Sequence, residues 1–409
     1  MSHSLRIQRP EGAVQGTIWL RGSKSIANRV LLMQALAGTS AHLDNFPDAG
    51  DSVLLKKLLD HLEPTIDARD AGTVFRFLTA YLAMQPGDHL LTGTPRMLER
   101  PIGDLVEALQ ALGADITYAG KKGFPPLRIR GRRLRGGSVT VNARISSQFV
   151  SALLLIAPNM PDGLILNLRQ PPISAPYIDM TIKLMHQFGV EVHQENLTFT
   201  VPHQQYHIKD FFIEPDWSSA SYLFEIAALA SKADVLIPQL SLNSIQGDSA
   251  IACFMQLFGV QTEQESRGLR IRKTHEPPTK PLLSFYLSDH PDLAPALFAT
   301  AAGLSQPTDF TGLHHLMYKE SNRAEAFATE LRKCNITLEG DGEKISLRGN
   351  FVAEHPCFRT YRDHRLALAL APLCLRCQTV TVDDPNVVTK SYPSFWDDLR
   401  ILGFQIAAA

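Results

Sequence analysis

The sequence has no long hydrophobic stretch and little cysteine. Its longest apolar runs, FVSALLLIAP and LALALAPLCL, are about ten residues each, whereas a helix that crosses a bilayer needs about 20. The first ten residues also lack the apolar core of a secretory signal peptide. Five cysteines in 409 residues are too few for a disulfide scaffold, and an odd count fits a reducing compartment. We therefore expect a cytoplasmic protein without a membrane partner.

An excess of charge of one sign is also missing. The 40 basic and 41 acidic residues leave a net charge of -1, so no overall field attracts nucleic acid. The basic stretch Lys121–Arg135 could bind polynucleotide, but solvated charges on the edge strands of a hairpin explain it better. The chain is 44% hydrophobic and 20% charged, which allows a large core. Any site for anions must therefore be built locally.

Several common catalytic and metal-binding motifs are absent. The sequence has no P-loop, no H-E-x-x-H, no G-x-S-x-G and no G-x-G-x-x-G in a fitting context. Cys374 and Cys377 form a single C-x-x-C inside an apolar run, whereas a zinc site needs about four ligands. We therefore predict that both thiols pack in the core rather than bind a metal.

What the sequence does contain is a weak internal repeat. An apolar helix ends in a tight turn and leads into a short strand, often with a second strand, at intervals of roughly 70 residues. The turn residues are ones that favour a left-handed backbone: Gly113, Gly189, Gly259, Asn335 and Gly403. One copy is shortened near residues 59–70. The alternation predicts an α/β (or α+β) chain with a domain crossing near Ile213–Trp217.

Polar and charged residues recur where an apolar helix begins. Backbone N–H groups at a helix N-terminus attract anions, and neighbouring Lys and Arg strengthen the attraction. In isolation, capping or a solvated side chain explains each case about as well. Lys319 and Arg323 would share one helical face, where like charges repel unless an anion binds between them. Together these starts predict a strongly positive pocket for small ligands with several negative charges.

The order of these stretches resembles the 5-enolpyruvylshikimate-3-phosphate synthase (EPSP synthase) family over nearly the whole chain. The motifs are, in chain order, GSKSIANR, DAGT, TGTPRMLERPI, PPLRIRG, ISSQFVSALLL, PYIDMT, DWSSASY, DHPD, YKESNR, RDHRLAL and TKSYPSFW. The resemblance implies an inside-out α/β barrel of two domains, each with three βαβαββ repeats. The first domain would span residues 1–22 and 216–409. The second would span 23–215 and contain the shortened repeat.

The resemblance also implies a reaction. The family transfers the enolpyruvyl group of phosphoenolpyruvate to the 5-hydroxyl of shikimate 3-phosphate and releases phosphate, through a tetrahedral intermediate. This is a step of the shikimate pathway toward chorismate and the aromatic amino acids. It implies two small-molecule partners, no metal or other cofactor, no nucleic acid and a monomer. Gly72 keeps the small residue that accompanies inhibition by glyphosate, which would compete with phosphoenolpyruvate.

Residue roles follow from the same resemblance. Phosphoenolpyruvate would be held by Lys24, Gly72, Arg96, Gln148, Arg323, Arg365 and Lys390. Shikimate 3-phosphate would be held by Lys24, Ser25, Arg29, Ser146, Ser147, Gln148, Ser174, Tyr177, Asp292, His315 and Lys319. The implied catalytic residues are Asp292 as base, Glu320 as acid, Lys24 in proton transfer and His364 at the intermediate.

Departures from the family pattern leave alternatives open. Asp70 and His315 stand where the family usually has Asn, Met317 replaces Arg, Asn322 replaces Asp, and Phe77 replaces Pro. A non-catalytic phosphometabolite binder therefore remains one alternative. The other is the related transferase that acts on UDP-N-acetylglucosamine. It normally carries G-A-K-N where this chain has Gly22–Ser25, and a loop Cys near the position of Arg96, which this sequence lacks.

Overall fold

The computed structural model describes residues 4–142, 146–276, 280–341 and 343–409 and divides into two units. The terminal unit consists of Met1–Arg21 and Glu214–Ala409, and the inserted unit of Gly22–Ile213. The sequence-based boundaries place the two crossings after residues 22 and 215, and the structure places them after residues 21 and 213.

The chain begins with two strands of the terminal unit, β1 (Leu5–Gln8) and β2 (Val14–Thr17). The elements of the inserted unit follow: α1 (Lys24–Ala37), β3 (Leu43–Asp44), α2 (Gly50–Asp60), β4 (Thr65–Asp67), α3 (Gly72–Leu82), β5 (Gly87–Thr92), α4 (Pro95–Leu98), α5 (Gly103–Ala111), β6 (Asp115–Tyr118), β7 (Leu127–Gly131), β8 (Gly137–Val141), α6 (Ser147–Ile156), β9 (Leu164–Leu168), α7 (Ala175–Gln187), β10 (His193–Glu195), β11 (Thr198–Val201) and β12 (Phe211–Phe212).

Two sheets of the inserted unit have the same path. Their strand orders are β4-β5-β7-β6 and β8-β9-β11-β10, with the first two strands parallel and the hairpin antiparallel to the second strand. This is the predicted βαβαββ unit. The third sheet has two strands among the described residues, β3 parallel to β12. No hairpin follows α2, because the chain passes from Asp60 directly to β4 of the next sheet. The shortened repeat thus lies where the sequence predicted it.

The terminal unit continues after the second crossing. Its elements are α8 (Trp217–Leu229), β13 (Ala233–Pro238), α9 (Ile251–Gln256), β14 (Gln261–Glu265), β15 (Gly268–Lys273), β16 (Leu283–Tyr286), α10 (Ala294–Gly303), β17 (Thr308–Thr311), α11 (Arg323–Arg332), β18 (Ile336–Gly340), β19 (Lys344–Gly349), β20 (Cys357–Phe358), α12 (His364–Leu370), β21 (Thr379–Val382), α13 (Phe395–Ile401) and β22 (Gln405–Ala408). Short 3-10 helices span Ala157–Asn159 in the inserted unit and Gly247–Ala250, Pro291–Leu293, His314–Tyr318, Ala371–Arg376 and Pro385–Lys390 in the terminal unit.

All three sheets of the terminal unit have four strands. Their orders are β2-β13-β15-β14, β16-β17-β19-β18 and β20-β21-β1-β22, which repeat the path of the inserted unit. The inserted unit interrupts the first repeat between β2 and α8. In the third repeat, β1 takes the place that β15 and β19 have in the other two sheets, and it pairs antiparallel with both β21 and β22.

The turns that end the repeated helices confirm the sequence prediction. The φ angles are +97° at Gly113, +81° at Gly189, +84° at Gly259, +60° at Asn335 and +90° at Gly403. A left-handed residue at this position lets the chain leave the helix and enter the next strand.

Helices without a polar face form the centre of the terminal unit. Every residue of α10 and α12 is buried, as is every residue of α8 except Ser218, which fits helices that are apolar all round. Cys374 and Cys377 are buried in the same core as Phe298 and Phe310, as predicted. Within the described ranges, no helix is both long and apolar enough to cross a membrane.

Candidate active site

Charged side chains of the terminal unit gather at the ends of several short helices. Asp292 lies in the 3-10 turn before α10, and Arg323 is the first residue of α11. Asp363 is the N-cap of α12, where its carboxylate accepts a hydrogen bond from the Arg365 backbone N–H at 3.0 Å. Lys390 ends the 3-10 helix Pro385–Lys390. Residues far apart in sequence thereby form one cluster.

Arg323 is the centre of this cluster and is 1% exposed. Its Nε donates to Asp363 Oδ2 at 2.8 Å, one terminal nitrogen donates to Glu320 Oε2 at 2.6 Å, and the other donates to Asp292 Oδ1 at 3.3 Å. One guanidinium therefore orients three carboxylates, which is the forked geometry that Arg favours.

Asp292 is the carboxylate with the most cationic neighbours. Arg365 lies 3.0 Å from Oδ2, and Lys319 and Arg323 lie 3.6 Å and 3.3 Å from Oδ1. Burial by itself would raise the pKa of Asp292, but Arg365, Lys319 and Arg323 hold that pKa well below its usual range. Asp292 is therefore ionised in this arrangement, and its basicity depends on what these three cations contact.

Glu320 contacts two cations at once. Its Oε2 accepts from Arg323 at 2.6 Å, and its Oε1 lies 3.2 Å from Lys390 Nζ. The expectation that Lys319 and Arg323 share one helical turn was wrong. Lys319 and Glu320 precede α11, which begins only at Arg323, so that the extended backbone at Lys319 turns its side chain toward Asp292.

Three further buried groups adjoin the cluster. His315 is 6% exposed, and burial together with the nearby Lys319 lowers its pKa to about 3, which keeps the imidazole neutral. Tyr222 accepts a hydrogen bond from Arg365 at 3.4 Å. Asp248, which accepts from Ser218, has its pKa raised to about 6 by burial and by Asp292. Neither Tyr222 nor Asp248 was predicted as a site residue from the sequence. Tyr222 lies inside α8, and Asp248 lies in the short 3-10 helix Gly247–Ala250, outside the motifs that carry the resemblance.

His364 lies at the first position of α12 and is 1% exposed. Its Nδ1 is 3.8 Å from Asp363 Oδ1. The structure thus brings Asp292, Glu320, Arg323, His364, Arg365 and Lys390 together in the terminal unit, with Lys319 and His315 beside them.

In the inserted unit, α1 presents Lys24 at its first position. Lys24 Nζ donates to Asp51 Oδ2 at 3.2 Å, across to the first turn of α2. Ser23 is the N-cap of α1 by backbone geometry, but its hydroxyl makes no capping bond, and Ser25 lies inside the helix. Side-chain capping, one explanation for a polar helix start, therefore does not account for Ser23 and Ser25 here.

Arg29 holds α1 against α7 from a buried position. Its Nε donates to Thr181 Oγ1 at 2.7 Å, and its terminal nitrogens donate to the backbone carbonyls of Ser25 and Tyr177 at 2.8 Å and 3.1 Å. Burial lowers the pKa of Arg29 to about 10, so it stays charged near neutral pH. Arg29, which was predicted to contact substrate, is 2% exposed, and its bond to the Tyr177 carbonyl positions that residue.

The remaining predicted residues of the inserted unit lie at helix starts. Ser146 is the N-cap of α6, and its hydroxyl accepts from the Gln148 N–H at 3.2 Å. The Gln148 amide donates to Thr73 Oγ1 at 3.0 Å, which links α6 to the start of α3 at Gly72. Ser147 and Ser174 are buried, and Ser174 has a left-handed backbone before α7.

Arg96 is a half-exposed residue of α4. It forms an ion pair with Glu99 at 2.9 Å. The basic stretch Lys121–Arg135 includes β7, which is an interior strand rather than an edge strand. Arg128 forms a two-pronged ion pair with Asp88, with both distances 2.9 Å, so part of the positive charge of this stretch is balanced within its own sheet.

These clusters suit two small polyanions. Each unit supplies cations at helix starts, and the terminal unit adds carboxylates that can exchange protons. Among the described residues, no group of three or more His, Cys, Asp and Glu side chains is placed to hold a metal ion.

Comparisons with known proteins agree with this chemistry. The family described as EPSP synthase (3-phosphoshikimate 1-carboxyvinyltransferase) matches residues 8–66 and 61–399. A 3-phosphoshikimate 1-carboxyvinyltransferase from Bacteroides fragilis is 43% identical over 397 residues, which is 96% of each chain. One from Vibrio campbellii is 34% identical over 438 residues, covering 98% of this chain and 99% of the relative.

Solved structures show the same fold at lower identity. An EPSP synthase from Acinetobacter baumannii matches 99% of this chain and 100% of its own, with a TM-score of 0.80 and 21% identity. The enolpyruvyl transferase NikO from Streptomyces tendae matches with a TM-score of 0.74 and 15% identity over 100% of this chain and 99% of its own.

Proposed function

This chain belongs to the EPSP synthase family, so its reaction is enolpyruvyl transfer from phosphoenolpyruvate to shikimate 3-phosphate, and we propose how its residues perform it. The acceptor is the 5-hydroxyl, and the reaction is an addition followed by elimination of phosphate. The observation that carries the proposal is the contact of Asp292 and Glu320 with the single guanidinium of Arg323, at 3.3 Å and 2.6 Å.

Phosphoenolpyruvate would bind to cations that form ion pairs with carboxylates in this structure. Arg365 and Lys390 lie 3.0 Å and 3.2 Å from Asp292 and Glu320. A bound phosphate and carboxylate compete for the same donors, and charge-assisted bonds to a dianion are strong. We assign phosphoenolpyruvate to Arg323, Arg365 and Lys390 in the terminal unit and to Lys24, Gly72, Arg96 and Gln148 in the inserted unit.

Substrate binding would then change the chemistry of the two carboxylates. As cations turn toward substrate anions, Asp292 loses the neighbours that hold its pKa well below its usual range and becomes a better base for the 5-hydroxyl. Glu320, released from Arg323 and Lys390, would carry the proton that reaches the methylene carbon. Lys24 would share in proton transfer, and buried His364 would stabilise the tetrahedral intermediate.

Shikimate 3-phosphate would be held chiefly by neutral donors. We assign its phosphate to Ser146, Ser147 and Ser174, and its ring and carboxylate to Ser25, Arg29, Tyr177, Asp292, His315 and Lys319, with Lys24 and Gln148 beside both substrates. The neutral state of His315 supports this assignment, because an uncharged imidazole can both donate to and accept from a sugar-like hydroxyl.

We also place the protein in the cytoplasm as a monomer. Its five cysteines are free thiols, as a reducing compartment favours. Every residue assigned to the site comes from one chain, so a partner subunit is not needed to complete it.

The test is turnover of shikimate 3-phosphate plus phosphoenolpyruvate by purified protein, followed by released phosphate. We expect turnover that requires both substrates, and a loss of kcat of at least about 100-fold in Asp292→Asn and Glu320→Gln, because general acid–base groups contribute about that much. Arg133→Gln, a change at an exposed residue, is the matched control and should behave as wild type.

Two outcomes would contradict the assignment. Binding of each substrate without phosphate release would favour the non-catalytic binder, and turnover with UDP-N-acetylglucosamine in place of shikimate 3-phosphate would favour the related transferase. In the same assay, glyphosate should inhibit by competing with phosphoenolpyruvate, because Gly72 keeps the small residue that accompanies this inhibition in the family. Full activity in millimolar glyphosate would show that this part of the proposal is wrong.

A further inference from the structure

Arg100 is a buried cation in the inserted unit that the proposed mechanism does not use. It lies between α4 and α5, and it is 6% exposed. Within the described part of the chain, its side chain makes one hydrogen bond, from a terminal nitrogen to the Asp70 backbone carbonyl, at 3.3 Å. Its Nε is buried without a hydrogen-bond partner there, and no carboxylate of the described residues lies within ion-pair distance.

The guanidinium of Arg100 lies against the first residue of α3. A Cβ atom built on Gly72 would be 2.6 Å and 2.8 Å from the two terminal nitrogens of Arg100 and 2.9 Å from its Cζ. The helix has 11 residues and begins at Gly72, so its unpaired N–H groups and partial positive charge face the same place. A second guanidinium, that of Arg76, donates to the Gly72 carbonyl at 3.0 Å.

This arrangement is electrostatically unfavourable by itself. A buried charge usually has a counter-charge, because removing it from water costs free energy that one bond to a carbonyl does not offset. A helix N-terminus beside it adds repulsion. An anion bound at the start of α3 would remove both costs, because the guanidinium and the helix N–H groups would both attract it.

We propose that Arg100 is a further anion-binding residue for the phosphate of phosphoenolpyruvate, acting with the N-terminus of α3 at Gly72. This rests on the proposed function, which assigns that substrate to Gly72. It also gives Gly72 a second reason to lack a side chain. A methyl group there meets the Arg100 guanidinium as well as any bound anion, so Gly72 and Arg100 act as one pair.

The first test compares Arg100→Gln and Arg100→Lys in steady-state kinetics. We expect the KM for phosphoenolpyruvate to rise at least about tenfold in Arg100→Gln and less in Arg100→Lys, which keeps the charge but loses the fork. The KM for shikimate 3-phosphate should stay within about twofold. Arg133→Gln, at an exposed site of the same unit, controls for loss of an arginine.

A purely structural role would give a different result. If Arg100 only holds the Asp70 carbonyl, the melting temperature falls while both KM values change together or not at all, and the proposal is overturned. Should Arg100→Gln fail to fold, an unchanged KM for phosphoenolpyruvate in Arg100→Lys overturns it equally.

The second test is a double-mutant cycle with Gly72→Ala. Alone, the added methyl should raise the KM for phosphoenolpyruvate, because it displaces the guanidinium. In the Arg100→Gln background the same methyl should have a clearly smaller effect, since the shorter side chain leaves space. Additive effects would show that the two residues do not act as a pair.

Direct binding separates this inference from the proposed function. If wild-type protein shows no turnover, titration calorimetry with phosphoenolpyruvate and with inorganic phosphate still measures the anion site. Weaker binding in Arg100→Gln than in Arg133→Gln would then support the role of Arg100 although the enzymatic assignment had failed. Equal binding in the two variants would overturn it.

Discussion

His315 shows how its surroundings decide the charge of a single side chain. Its imidazole is buried next to Lys319, and both effects lower its pKa to about 3. The unfolded chain exposes the same group with an ordinary pKa near 6.5. The folded state therefore binds fewer protons than the unfolded state between about pH 6.5 and pH 3, and stability attributable to His315 falls as the pH drops through that window.

We expect His315→Asn to become more stable relative to wild type as the pH falls. Each pH unit below 6.5 should cost the wild-type protein about 1.4 kcal/mol that the variant does not lose, or about 2 kcal/mol at pH 5. Thermal unfolding at pH 7.5 and pH 5.0 measures this, with the exposed His193→Asn as control. A stability difference that is the same at both pH values would contradict the buried, neutral state of His315.

The sequence predicted which residues form the site better than it predicted what surrounds them. Short motifs near helix starts contain the main charged residues of the site, so the sequence alone gives their types and order. These residues are Lys24, Asp292, Glu320, Arg323 and Arg365. The sharing of the Arg323 guanidinium by three carboxylates could not be predicted, because Asp292 and Asp363 lie 31 and 40 residues from Arg323 in the sequence.

At the scale of strands and helices, an equivalent ion pair occurs in three of the repeats. The second residue of the second strand is an Asp in each: Asp88 in β5, Asp234 in β13 and Asp309 in β17. Each pairs with an Arg on the strand that completes the hairpin, Arg128, Arg270 or Arg348. The Arg is never directly opposite the Asp, because the register pairs Asp88 with Arg130, Asp234 with Arg272 and Asp309 with Ser346. Each Arg therefore reaches its Asp diagonally from two residues away and links the hairpin to the second strand.

The three pairs differ in burial, and their contributions should differ accordingly. Asp309 has a side chain 7% exposed and accepts from Lys344, Ser346 and Arg348, whereas that of Asp88 is 41% exposed. We expect Asp309→Ala to lower the free energy of unfolding by about 1–3 kcal/mol, because a buried carboxylate loses its three hydrogen-bonded contacts. Asp88→Ala should lower it less, as exposed ion pairs contribute little.

Urea unfolding of the two variants measures the difference. The asparagine variants at both positions test whether charge or shape matters. A larger loss in Asp88→Ala than in Asp309→Ala would contradict the argument from burial.

Element type and repeat length could be predicted from the sequence, and strand pairing could not. A glycine or, at Asn335, an asparagine ends the helix in every repeat except the shortened one, because a left-handed turn favours these residues. The expectation that the strands of Lys121–Arg135 carry solvated edge charges was wrong in part, since β7 lies between β5 and β6. A strand's neighbours depend on the whole sheet rather than on its own residues.

At the scale of the whole molecule, the chain closes on itself within the terminal unit. β1 lies between β21 and β22, so residues from the two ends of the chain complete one sheet. Ile7 of this strand is fully buried in the core, while its neighbour Arg6 is exposed. The first residues of the chain therefore contribute to the stability of a repeat that is otherwise formed by the last 53.

We expect Ile7→Ala to destabilise the terminal unit by about 2–4 kcal/mol, through lost burial and the cavity left in the core. Arg6→Ala, on the opposite face of the same strand, should change stability by no more than about 0.5 kcal/mol. Guanidinium unfolding followed by tryptophan fluorescence measures both. Equal effects of the two changes would mean that β1 does not occupy its place in the sheet.

The sequence by itself determined the class of fold, the repeat, the shortened copy and the family. These are recorded in local features, namely turn residues, apolar helices and short motifs, which depend on neighbours a few residues away. Only the tertiary structure decided which charges meet. The pKa values of Asp292 and His315, the shared guanidinium of Arg323 and the buried Arg100 beside Gly72 all arise from burial and from distances between remote segments. Electrostatic interactions depend on those distances and on exclusion of water, and neither is encoded at any single position.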